Sequence, residues 1–303
     1  MRVEMVKAEG GTTLTEAAVA RALRWMAMQQ NDDGGWGRTL GTSETAGTSL
    51  ALLPFLGAGQ THQTGVYKDN VAMGLRWMIQ HQGEDGDLRH TLKNNNAGMY
   101  AHGQGAIVLS EAYALTGDEQ LRGPAQKAID FIVNAQHAGG GWRYQPGEAG
   151  DTSVLGWQLM ALHSARVSGL NVPESNLELA GNYLDSVQSA SGAKYSYRRG
   201  TASNEAMSAE GLLCRMYTGW TKQNPALEEG LEMLLANHAP RANQPNIYYW
   251  YYGTQVAHHM GGDQWENWNE RMRDILVETQ VRDGKFAGAW RPGGPHTAGN
   301  DWM

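Results

Sequence analysis

The order Arg21-Ala22, Trp25-Met26, Gln30, Gly34 and Trp36 returns at identical internal spacing as Lys127-Ala128, Phe131-Ile132, Gln136, Gly140 and Trp142. A chain that repeats itself in this way folds as a stack or ring of like units, because one unit alone cannot bury its apolar face. Weaker copies fill the intervals: Gly74, Trp77-Met78, Gln82, Gly86 and Leu88; then Ala180, Tyr183-Leu184, Gln188 and Gly192. Another, with a longer loop, has Ile275-Leu276, Gln280, Gly288 and Trp290, and a degenerate unit has Gly230 and Met233-Leu234 with His238 in the glutamine position. Taking that position as the marker, residues 30, 82, 136, 188, 238 and 280 are separated by 52, 54, 52, 50 and 42 residues, so six units are expected.

Each unit opens with helical periodicity, as in Val19, Ala22, Leu23 and Met26 at i, i+3, i+4 and i+7. A Gly-rich turn ends that helix, and a second helix follows over 48–56, 103–115, 152–165, 208–217 and 248–260. The second helices carry few charges. A helix that is apolar nearly all round is a buried one, so the charged first helices should form an outer ring about an inner ring. Thr15 with Glu16 reads as the opening of the first outer helix and Asp151 as the cap of the third inner one. No strand pattern stands out. The recurring Gln and Trp have a structural reading: Gln at a helix end reaches orphan carbonyls or the next unit's backbone, and Trp stacks on it across the seam. Six outer helices but only five inner ones precede the end of the chain at Asp301-Trp302-Met303. A gap in the inner ring is therefore expected beside the first and fifth inner helices, its apolar surface exposed or covered by another chain.

With 303 residues, 41% of them hydrophobic, the chain is long enough for one large core or two ordinary ones. The repeat favours an N-terminal extension over 1–14 and a single domain over 15–303. Lys and Arg number 24 against 31 Asp and Glu, a net charge of −7 with no basic block. Nucleic acid or an anionic membrane surface is thus an unexpected partner, and a small or neutral ligand fits better. The single cysteine, Cys214, allows neither an intrachain disulfide nor a cysteine-built metal cage. Residues 1–11 lack the apolar core of a signal peptide, and no apolar run approaches ~18 residues. A soluble chain, cytoplasmic by default, is the expectation.

The spacing basic-small, aromatic-aliphatic, Gln, Gly-x-Trp resembles the QW motif of squalene and oxidosqualene cyclases, whose helical hairpins also build the β-subunits of protein prenyltransferases. The resemblance covers Arg21 to Trp290. It implies an all-α fold, an α/α toroid of six helical-hairpin repeats with the last inner helix missing. Class II cyclases of this family protonate an alkene or epoxide with the middle Asp of an Asp-x-Asp-Asp-Thr motif at the start of an inner helix, which demands an unusually strong, water-shielded acid. The matching stretch here is Glu148-Ala149-Gly150-Asp151-Thr152, in which Gly150 stands where the essential acid belongs. Prenyltransferases place zinc with Asp-x-Cys at an inner-helix start; Asp151-Thr152-Ser153 offers a hydroxyl where the thiolate is needed. Neither a metal site nor a cofactor is expected.

The carboxylates and imidazole that combine with these inner-helix starts are Asp151, Glu148, His102 and Glu210, the candidate catalytic residues. Asp151 reads equally as a helix cap, and Glu148 has Arg143 as a partner in reach. His102 reads as a hydrogen-bonded structural group or a base. Glu210 lies among apolar neighbours, where an unpaired carboxylate costs several kcal/mol. The run Tyr248-Tyr249-Trp250-Tyr251-Tyr252 covers all sides of a helix, so part of it faces the centre. Since inner helices start on one face of a toroid, a central cavity walled by Tyr100, Trp157, Tyr248, Tyr251 and Tyr252 is expected there, with Asp151, His102 and Glu210 as its polar groups. His258-His259 are read as structural. Three functions fit: an isoprenoid-handling protein, either a binder of an apolar small molecule or a cyclase variant; a non-catalytic interaction or scaffold toroid; and a carbohydrate-active toroid enzyme using carboxylates and aromatics.

Overall fold

The computed structural model describes residues 2–37 and 43–291. A short helix α1 (Arg2–Ala8) leads into five helical hairpins: α2 (Thr13–Met28) with α3 (Glu44–Gly57), α4 (Lys68–Gln80) with α5 (Gly98–Thr116), α6 (Glu119–Asn134) with α7 (Thr152–Val167), α8 (Glu174–Val187) with α9 (Glu205–Tyr217), and α10 (Pro225–His238) with α11 (Ile247–Met260). A sixth outer helix, α12 (Gly262–Thr279), follows. The pattern decides which helix goes where. On α6 the buried residues Leu121, Ala125, Ala128, Ile129 and Ile132 form one stripe, whereas α7 buries an unbroken run from Thr152 to Leu162. A stripe can be satisfied from one side, and a helix buried all round needs neighbours on every side. Thus α3, α5, α7, α9 and α11 pack successively on one another as the inner ring, and α12 returns onto α2 to close the outer one. The fold is an α/α toroid.

The repeat residues are the staples between units. Gln136 Nε2 donates to Gly140 O at 2.8 Å in its own unit and to Asn176 O at 2.9 Å in the next outer helix, while its Oε1 accepts from Asn176 Nδ2 at 2.6 Å. Gln30 does the same with Gly34 and Asn70, and Gln82 with the carbonyls of Gly86 and Pro124. Gln280 joins Gly288 O to Ala18 O and accepts from Arg21, so the sixth unit is fastened to the first. The tryptophans act differently from the expected stacking on Gln. Trp36, Trp142 and Trp290 donate their indole N–H to the carbonyls of Met26, Ile132 and Leu276, near the ends of their own outer helices. Each carbonyl lies where a helix runs out of intrahelical donors, so a buried indole both fills the seam and satisfies it. The recurring glycine has its own reason. Gly34, Gly86, Gly140 and Gly288 all have positive φ and lie against the backbone of the neighbouring outer helix, where a Cβ has no room.

Three local departures have physical causes. The first outer helix starts two residues earlier than Thr15: Thr12 is the cap, and Thr15 reciprocates from the third position as a capping box. Gln188, the fourth marker, leaves its helix and bonds Arg215 at 2.9 Å. It enters a two-residue strand β1 (Gln188–Ser189) paired antiparallel with β2 (Lys194–Tyr195) across a turn with positive φ at Ala190, Ser191 and Gly192. Pairs this short carry no period that a sequence can display. Tyr251 of α11 and Leu50 of α3 stand 39% and 46% exposed. Residues 292–303, on which the missing-helix expectation falls, lie outside the described residues. No helix among the described residues is long and apolar enough to cross a membrane.

Candidate functional site

Asp151 caps α7 with extended backbone (φ −131°, ψ 160°) and is fully buried. Its Oδ1 accepts from the Val154 N–H at 2.8 Å and the Ser153 hydroxyl at 2.9 Å; its Oδ2 accepts from Tyr197 Oη at 2.9 Å, with Arg143 Nε 3.5 Å away. Burial raises its carboxyl above the ordinary range, against the pull of these donors. Glu148 is held by Arg143 at 2.8 Å. Around them the hydroxyls of Tyr144 and Tyr197 meet at 2.7 Å, and those of Tyr100 and Ser153 at 2.5 Å. The result is a polar and aromatic cluster at the N-terminal ends of the inner helices. Tyr144 and Tyr197, both on loops, were invisible in the repeat pattern.

His102 is not part of that cluster. Its Nδ1 accepts from the Leu88 N–H at 3.0 Å and its Nε2 donates to Ala128 O at 3.0 Å. Thr48 accepts in the same way from the Trp36 N–H, and Ser208 from the Tyr195 N–H. His102 therefore brackets the Gly-x-Trp-type loop of its unit, with no ring nitrogen left for a ligand. Complete burial pushes its pKa down to about 4, so the ring is neutral.

Glu210 is fully buried on α9, its Oε2 accepting from Tyr248 Oη at 2.9 Å and its Oε1 accepting no hydrogen bond. It fits only because α7 offers Gly156 opposite; any Cβ there would collide with the carboxylate. Burial drives its carboxyl well above the usual range, outweighing the pull of the Tyr248 and Tyr252 hydroxyls. Burial thus favours the protonated form of Glu210. The expected aromatic wall is largely filled by its own rings. Trp157 stacks on Tyr251 (5.5 Å, 19°) and meets Tyr252 edge-on, and Tyr252 packs edge-on against both Tyr248 and Tyr251.

A cavity of about 690 Å³ lies at the other ends of the inner helices, among their C-terminal halves. Of the five rings expected to wall a cavity, Tyr251 alone lines this one. Its wall mixes apolar and polar side chains. Leu53 and Pro54 of α3, Ile107 and Leu115 of α5 and Met160 of α7 are apolar members. Among them stand Glu111, one turn from both Ile107 and Leu115 on the same face of α5, His163 of α7, Tyr217 of α9, and Gln255 and His259 of α11. His163 lies flat on Tyr217 (4.1 Å, 21°), and His259 meets the same ring edge-on. Tyr217 Oη donates to Gln255 Oε1 at 3.4 Å, and Glu111 Oε1 accepts from Ser164 Oγ at 2.6 Å. Burial lowers the pKa of both imidazoles, with the other nearby cationic groups acting in the same direction. His259 thus lines the cavity, while its neighbour His258 ties Glu9 to α11 at 2.9 Å. The signal for these residues was present but weak: Glu111 and His163 interrupt otherwise apolar inner helices.

Residues 2–102 match the family model of the squalene-hopene cyclase C-terminal domain. Lanosterol synthase of Aspergillus fumigatus is 24% identical over 131 residues, 42% of this chain, and lanosterol synthase of Candida albicans is 25% identical over 140 residues, 44% of this chain. The chain carries the squalene-cyclase-like, prenyltransferase-type repeat. The two matches span only 17% and 18% of the synthases' own lengths. Among solved structures, the α-1,6-mannanase GH76A of Salegentibacter sp. HEL1_6 superposes with a TM-score of 0.63 at 12% identity, covering 88% of this chain and 88% of that one. An inactive variant of that mannanase in complex with α-1,6-mannotriose gives 0.61 at the same identity and coverage. At this identity the likeness is one of fold, the α/α toroid.

Proposed function

We propose that this squalene-cyclase-like repeat protein binds an apolar small molecule of the isoprenoid class in the cavity at the C-terminal ends of its inner helices. The observation that carries the reading is the cavity itself: about 690 Å³ with Leu53, Pro54, Ile107, Leu115 and Met160 in its wall. That volume falls inside the range of roughly 300–1,000 Å³ typical of small-molecule sites. The sequence similarity to lanosterol synthases and to a squalene-hopene cyclase domain agrees with a long hydrocarbon as guest. Burying such a chain gains about 0.8 kcal/mol per methylene before ordering costs, so affinity should climb with length until the cavity is filled. Trp157 stacks on the lining residue Tyr251 and reports occupancy through its fluorescence. Titration with C10, C15 and C20 isoprenoid alcohols is expected to give successively tighter binding. Leu115→Asp, at a position 51% exposed and so tolerant of the change, is expected to weaken all three. Equal affinity for every length, or indifference to Leu115→Asp, refutes the proposal.

A further inference from the structure

We infer that the guest of this cavity is a neutral amphipath, an apolar chain that ends in a hydroxyl group held at His163, Tyr217, Gln255 and His259. The inference rests on the binding reading above and adds the chemistry of the head group. Its first support is composition. Beside the apolar side chains of α3, α5 and α7, the lining carries polar ones from four inner helices: Glu111, His163, Tyr217, and Gln255 with His259. A site for a pure hydrocarbon has no need of them, since uncompensated polar groups cost binding energy when an apolar guest covers them.

The second support is valence. Among the described residues no protein group hydrogen-bonds the ring nitrogens of His163 or His259, although both side chains are packed against Tyr217. A neutral imidazole offers one donor and one acceptor. A hydroxyl needs the same two, and the Tyr217–Gln255 contact at 3.4 Å is long enough to yield to a better partner.

Charge is the third. No Lys or Arg belongs to the described lining, and Glu111 places a carboxylate there. Of the cations near the two imidazoles, Arg166 is 3.5 Å from Glu174 and so already compensated, and Lys222 stands outside the lining. A diphosphate would enter a lining that carries a carboxyl group and no cation of its own. The lowered pKa values of the two imidazoles agree, since they leave both rings uncharged at neutral pH.

The test uses the full chain at pH 7.5 and four probes with the same C15 chain: farnesene, farnesol, farnesylamine and farnesyl diphosphate, followed by tryptophan fluorescence and calorimetry. Farnesol is expected to bind about tenfold or more tighter than farnesene, which corresponds to one or two net hydrogen bonds. Farnesyl diphosphate is expected to bind worst. Gln255→Leu and His163→Leu, each checked for an unchanged far-UV spectrum, are expected to cut the farnesol advantage below about threefold while leaving farnesene unaffected. Because Gln255 is only partly buried, its variant keeps the test open if His163→Leu does not fold. Equal binding of farnesol and farnesene, or tighter binding of the amine or the diphosphate, overturns the head-group inference and leaves the cavity reading standing. Failure of all four probes to bind overturns both.

Discussion

Gly140→Ala is the sharpest test of why the repeat has its glycine. The residue has φ +88°, and a Cβ on it would sit 2.5 Å from the carbonyl carbon of Leu179 and closer still to the oxygen. The left-handed backbone alone costs a non-glycine residue about 1–2 kcal/mol. The clash adds a second cost. It is made with backbone, which cannot rotate away, so the seam between α6 and α8 must open. Opening strains the two bonds that Gln136 Nε2 makes to Gly140 O and Asn176 O, at about 0.5–1.5 kcal/mol each. The sum is about 2–5 kcal/mol. Gly117→Ala is the internal control: φ is +62° at the end of α5, with nothing within 4 Å of the new methyl group. It should cost only the conformational part, about 1–2 kcal/mol. Urea unfolding of the two variants against wild type, with slopes compared so that the difference is one of stability, measures both. If Gly140→Ala costs no more than Gly117→Ala, the seam is soft and the steric account of the repeat glycine is wrong.

Three further outcomes follow from the buried titratable groups. His102 has a depressed pKa of about 4, so its stabilisation is complete above the unfolded value near 6.5 and is lost as pH falls from there to about 4. The loss amounts to about 3 kcal/mol, and His102→Thr, which copies Thr48, should flatten that stretch of the stability-versus-pH curve. Glu210 is raised instead: the folded protein holds its proton more tightly than the unfolded chain, so stability declines as pH climbs above about 4.3 towards the folded value. Glu210→Gln, judged by urea midpoints at pH 5 and pH 8, should therefore gain relative to wild type at the higher pH, and a larger gain at pH 5 contradicts this. Asp151→Asn keeps the cap on Val154 but loses the charge facing Arg143, so a modest drop of about 1–2 kcal/mol is expected. Isoprenoid affinity should not change, because Asp151 lies at the opposite ends of the helices from the cavity; an affinity loss beyond about threefold disproves that separation.

The architecture was legible because the residues that define it act at fixed offsets along the chain. Gln30 reaches Asn70 and Gln136 reaches Asn176, both 40 residues on. Any contact that recurs at constant separation leaves a period, and from the period come the unit count and the two rings. Asp151 as a helix cap was equally local, since its main bond goes three residues along to Val154. Other features had no such imprint. Which ring of Tyr248 to Tyr252 faces the cavity depends on how α11 is rotated against α7 and α9, and a helix buried on all sides has no apolar stripe to reveal that rotation. The same ambiguity hid the choice between the two ends of the inner ring. Asp151, Tyr100 and Glu210 mark one end in sequence, whereas the described cavity lies at the other, where Glu111, His163, Tyr217 and His259 arrive from four helices. The charge states came last of all. His102 is neutral and Glu210 holds its proton more tightly because tertiary packing removes water from them, and desolvation is a property of the surroundings that no residue carries in its own name.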